Sequence, residues 1–131
     1  MRGAPVLAQS KVFSSFAVDD LRKARDFYGE TLGLDVELID PPGMLNISPS
    51  GDRDVLVYPK DDFRPATYTV LNFAVEDVEA AVDDLTVRGV SFERYEGMEQ
   101  DEKGIARGPG PEIAWFADPA GNILSVLKNE S

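Results

Sequence analysis

Between residues 11 and 18 apolar and polar side chains alternate closely enough for a strand, and then the period lengthens. Leu21, Ala24, Phe27, Tyr28 and Leu32 recur three or four positions apart, as one face of a helix does. Asp19 or Asp20 can accept from the free amides at that helix start, where a negative charge also suits the helix dipole, and Gly33 is a natural stop. The same succession then returns. Phe16-Ala17-Val18-Asp19-Asp20-Leu21 is answered by Phe73-Ala74-Val75-Glu76-Asp77-Val78, with residues 68–75 as the strand, Val78, Ala81, Val82 and Leu85 as the helical stripe, and Gly89 as the stop. In both copies the acidic pair reads as a helix cap and a solvated face before it reads as catalysis.

Further β-prone runs follow each helix: 35–39, 44–48 and 54–59 in the first copy, 91–95, 112–117 and 122–128 in the second. Turn chemistry separates them at Pro41-Pro42-Gly43, Pro49-Ser50-Gly51-Asp52 and Asp118-Pro119-Ala120-Gly121, the last a strong hairpin signal. Each copy therefore spells strand, helix and three strands, over 11–60 and 68–128, with 61–67 as linker. Residues 97–111, rich in glycine, proline and charge, read as a loop able to cover a pocket, with Met98 as a possible lid contact. Its Glu96, Glu99, Asp101 and Glu102 stand beside Lys103 and Arg107 and read first as a solvated charged loop, second as an attractor for a cation or a general base.

Length and composition bound the rest. A chain of 131 residues suits one domain, 1–131, that buries roughly 65–70% of its extended-chain surface. No apolar run approaches the ~18 residues of a membrane span, the start lacks a signal-length apolar stretch, and there is no cysteine, so a cytoplasmic location is expected and a membrane is not. Acidic residues outnumber basic ones by 24 to 13, and a formal charge of −11 repels polyanions, so nucleic acid is not an expected partner. Histidine is absent, which removes Ser-His-Asp and Cys-His nucleophile systems, a histidine general base and any mixed histidine and carboxylate metal site.

Two stretches carry a family likeness. Phe16 to Leu21, then Ala24, Phe27-Tyr28 and Thr31-Leu32-Gly33-Leu34, resemble the opening motif of the vicinal-oxygen-chelate superfamily, the glyoxalase, bleomycin-resistance and dioxygenase group, in which a strand enters a helix ending in F-Y-x-x-x-L-G. Asp118-Pro119-Ala120-Gly121-Asn122 and the apolar strand after it resemble the group's closing D-P-x-G-N hairpin. The resemblance implies an α+β fold of two paired βαβββ modules whose curved mixed sheets enclose a cleft, and a homodimer.

Many members of that group hold a divalent metal in the cleft through four side chains. Carried over residue by residue, the resemblance puts those positions at Phe13, Val70, Ser125 and either Leu56 or Val57. Hydrocarbon and a lone hydroxyl make poor ligands, so neither a metal nor another cofactor is expected, and the group's metal-dependent chemistry is not implied. Alternation along the strands adds Ser15 beside Phe13, Asn72 beside Val70, and Ile123 and Leu127 beside Ser125. The expected ligand-binding residues are Phe13, Ser15, Val57, Tyr58, Val70, Asn72, Tyr95, Trp115 and Ser125, a mostly apolar pocket with a few hydrogen-bonding groups. A metal-free protein that sequesters or senses a small apolar or aromatic ligand follows. The alternative is a glyoxalase-like lyase or isomerase, or a dioxygenase-type enzyme, working through a non-standard carboxylate or tyrosine site.

Overall fold

A computed structural model describes residues 3, 5–48 and 54–130. After a short 3₁₀ turn (Leu7–Gln9), the first repeat gives β1 (Ser14–Val18), α1 (Leu21–Arg25), β2 (Asp35–Ile39), β3 (Met44–Ser48) and β4 (Val55–Pro59). The second gives β5 (Thr69–Val75), α2 (Val78–Val87), β6 (Ile113–Ala117) and β7 (Ile123–Lys128). Both helices are capped as the acidic pairs foretell. Asp20 accepts from the backbone N–H of Arg22 and Lys23, and Asp77 from that of Ala80. Gly33 and Gly89 end the helices with φ of 74° and 96°, a region that costs glycine little.

The fold is α+β, with a mixed four-stranded sheet in the order β1-β4-β3-β2 and a mixed three-stranded sheet in the order β5-β7-β6. In each, the repeat's first strand runs parallel to its last. The two sheets do not close on one another. Phe16, Val18, Leu45, Ile47, Val55 and Val57 from one sheet, and Ala114, Phe116, Leu124 and Val126 from the other, join Ala24, Tyr28, Val78 and Val82 of the helical segments in a single buried cluster. Successive strand residues point to opposite faces, so the alternate residues of both sheets form faces free of helices.

Two local features depart from the pattern read along the chain. The first helix leaves α geometry after Arg25 and continues through Asp26–Thr31 as a π-helical turn, with the Leu32 N–H donating to the Phe27 carbonyl. The wider turn carries two consecutive aromatics inward: Phe27 packs on Phe116, and Tyr28 is wholly buried. The strand expected at 91–95 is reduced to one bridge between Phe92 and Phe116. Beyond it the Gln100 side chain takes the place of a neighbouring strand, accepting from the Tyr95 N–H at 2.9 Å and donating to the carbonyls of Glu93 and Gly104. Pro49-Ser50-Gly51-Asp52 lies outside the described residues.

The loop at 97–111 is fastened to the body of the fold. Ile105 is buried in the core, and Ala106 bridges Ile113. Lys103 pairs with Glu79 and Asp83 of α2, while Arg107 pairs with Glu79, Asp101 and Glu112. Burial works against ionisation of Asp101, but the backbone N–H groups of Ile105 and Lys103, with Arg107, outweigh it and hold the carboxyl below its ordinary range. The exposed Glu96, Glu99 and Glu102 complete a solvated charged surface, and Met98 is half-exposed at its start.

The hairpin at 118–122 is where the repeats meet. Asp118 accepts from the backbone N–H of Ala120 and Asn122 and from the Asn122 amide, and its other partner is the Tyr28 hydroxyl at 2.7 Å. Asn122 in turn donates to the Ala17 carbonyl at 2.8 Å. Two residues of the second repeat are thus tied to the helix and first strand of the first.

Candidate functional site

Strand register places the site residues. Asn72 of β5 pairs with Ser125 of β7, and Ser125 pairs with Trp115 of β6, so the three side chains form one row across the helix-free face of the second sheet. Asn72 is exposed, Trp115 half-buried and Ser125 fully buried. The Ser125 hydroxyl donates to Asn72 Oδ1 at 2.5 Å. Tyr95 meets Trp115 edge-on, with ring centroids 5.4 Å apart and an interplanar angle of 71°. Burial first, and then the charge of Glu93, push the Tyr95 phenol above its ordinary value, which makes its phenolate harder to reach.

On the first sheet the equivalent row is Ser15, Leu56, Asn46 and Glu37. Asp54 anchors its polar end, accepting from Asn46 Nδ2 at 3.2 Å, Ser48 Oγ at 3.3 Å and Lys11 at 3.4 Å. Those bonds, the one from Asn46 foremost, hold its carboxyl below the ordinary range and make it a weak base. Asn46 Oδ1 is buried and meets no donor among the described residues. Between the sheets, at the β1 and β5 ends, lies a cavity of about 430 Å³ whose lining includes Ser15, Tyr58, Val70, Phe63 and Tyr68.

The expected residues thus fall into separate groups. Ser15, Tyr58 and Val70 share the cavity, and Asn72, Ser125, Trp115 and Tyr95 share the open face. Phe13 is 54% exposed, just before β1. Val57 is a correction: it is 0% exposed and pairs with Phe16 and Leu45 on the helix-facing side. The wall position belongs to Leu56, one residue earlier, because a shift of one residue changes the face. Asn46 and Asp54 were not read from the chain, although the polar Asn46 between Leu45 and Ile47 carried a signal of period two.

The residues at the group's metal positions do not fit a divalent ion. Phe13, Val70 and Leu56 offer hydrocarbon, and the Ser125 hydroxyl is committed to Asn72. Among the described residues no three histidine, cysteine, aspartate or glutamate side chains gather as a metal would require. No helix among them is long and apolar enough to cross a membrane.

Residues 12–126 match the family model of the Glyoxalase/Bleomycin resistance protein/Dioxygenase superfamily. A member of that superfamily from Sphaerobacter thermophilus DSM 20745 superposes with a TM-score of 0.70 at 28% identity, over 93% of this chain and 99% of its own. TnmS3, an antibiotic binding protein from Streptomyces sp. CB03234, gives 0.70 at 25% identity, over 93% and 98%. A glyoxalase/bleomycin resistance protein from the same Streptomyces gives 0.62 at 25%, over 89% and 100%. No curated protein matches the sequence.

Proposed function

The chain belongs to the Glyoxalase/Bleomycin resistance protein/Dioxygenase superfamily, and from that premise we propose that it is a metal-free binding protein that sequesters or senses a small apolar or aromatic ligand. The observation that carries this reading is the row Trp115–Ser125–Asn72, where a metal-ligand position holds a serine hydroxyl bonded to an amide and flanked by an indole. Aromatic faces with a few fixed polar groups suit an organic ligand and leave a metal without donors. The antibiotic binding described for TnmS3 supports a small-molecule ligand.

The face that bears the row is open, and a drug-sized ligand is usually buried over most of its surface. In this reading a second copy of the chain completes the site, and the protein is a homodimer. A cytoplasmic location belongs to the same proposal, as no disulfide framework points to an oxidising compartment.

Elemental mass spectrometry of the purified protein, paired with a thermal-shift screen over divalent ions and a panel of aromatic and cationic compounds, tests the reading. Organic ligands should raise the melting temperature, metal content should stay far below one per chain, and size-exclusion mass should report a dimer. A stoichiometric metal whose removal by chelator lowers stability would overturn it.

A further inference from the structure

Ser125 sits on the central strand of its sheet, fully buried, and among the described residues its hydroxyl has one partner, Asn72 Oδ1. That bond fixes which way the Asn72 amide points. Were the amide turned over, its nitrogen would donate to Ser125 Oγ and the buried hydroxyl proton would lose its acceptor, the costly outcome for a buried polar group. Asn72 therefore keeps its carbonyl toward β7 and presents its NH₂ group to the open face. The next polar side-chain atom along the row, the Trp115 indole N–H, is also a donor only and meets no acceptor among the described residues. This floor offers hydrogens and an aromatic face.

We infer that the site selects a planar aromatic ligand bearing an oxygen acceptor, a carbonyl above all, which takes a hydrogen bond from the Asn72 amide while its ring lies against Trp115 and Tyr95. The inference rests on the binding function proposed above and narrows it to a ligand class. Neighbouring strands lie about 4.8 Å apart, which puts Asn72 and Trp115 roughly 10 Å from each other across β7, a span that a bicyclic aromatic ketone covers. Asn72 is the specificity-determining group, and Ser125 is a positioning residue that acts through it.

Three neutral probes of similar shape test the assignment: 2-acetonaphthone as acceptor, 2-naphthol as donor and 2-ethylnaphthalene as neither. Affinities come from equilibrium dialysis, and quenching of Trp115, the single tryptophan of the chain, reports whether the probe reaches the row. The ketone should bind about threefold to tenfold more tightly than the hydrocarbon, the usual range for one neutral hydrogen bond. Asn72→Asp, isosteric and on an exposed position, should reverse that order in favour of 2-naphthol, since a carboxylate only accepts. Ser125→Ala should bring the ketone and naphthol affinities together by freeing the amide to turn. If all three probes bind and quench equally in all three proteins, the acceptor selectivity is overturned and the binding site stands. If none binds or quenches, the function proposed above falls and this inference with it.

Discussion

Removing one oxygen, as Tyr28→Phe, tests how the two repeats are joined. The Tyr28 hydroxyl is wholly buried and donates at 2.7 Å to Asp118, itself almost fully buried. A hydrogen bond to a charged group contributes about 1.5–3 kcal/mol, and Asp118 keeps its bonds from Ala120 and Asn122 when the phenol is gone, so the loss should stay within that range. For a chain of this size that corresponds to a drop of about 5–10 °C in melting temperature. The pH dependence adds a second, independent readout. Burial above all, then the charge of Asp118 and the bond to it, raise the Tyr28 phenol far above its ordinary value of 10.0. A group whose folded pKa is raised stabilises fully below its unfolded pKa and loses that contribution as pH climbs toward the folded one. Above pH ~10 the unfolded wild type should therefore release a proton that the native state retains, weakening it by about 1.4 kcal/mol per pH unit, and the phenylalanine variant should lack this term. Urea titrations followed by Trp115 fluorescence at pH 7 and pH 11 measure both, and the other tyrosines and lysines cancel in the comparison. The stability gap should be full at pH 7 and narrow by roughly 1.4 kcal/mol at pH 11. A gap below 0.5 kcal/mol at pH 7, or one that is flat with pH, refutes the junction as described.

Other positions give sharper yes-or-no results. Val57→Asp buries an unpaired charge in the core and should abolish the cooperative melting transition by circular dichroism, while Leu56→Asp on the helix-free face should leave a folded protein. Gln100→Ala removes three bonds that stand in for a strand, and hydrogen exchange should show the Tyr95 and Gly104 region opening while β7 keeps its protection. The lowered carboxyl of Asp101 contributes stability that is present above its unfolded pKa of about 3.9 and lost as pH falls through the folded value; Asp101→Asn should flatten the acid limb of the loop's proteolytic resistance between pH 5 and 2.

Much of this molecule is written in its alternations. The repeat, both helix caps, the glycine stops, the extents of β2 and β3 and the family likeness all follow from side chains within a few residues of one another, because capping bonds, helical period and strand alternation are local. The absence of histidine and the hydrocarbon at Phe13 and Val70 were equally legible, since they concern residue type alone. Tertiary structure decided what depends on partners far along the chain. It put Leu56 on the open face and Val57 in the core, because face follows from pairing with β1 and β3 and one residue of register inverts it. It let a glutamine side chain replace an expected strand, and it pinned a charged loop to α2 through ion pairs that no spacing foretold. It also aimed the Asn72 amide, through a hydroxyl 53 residues away in sequence, since the direction of a buried hydrogen bond exists only once both strands lie side by side.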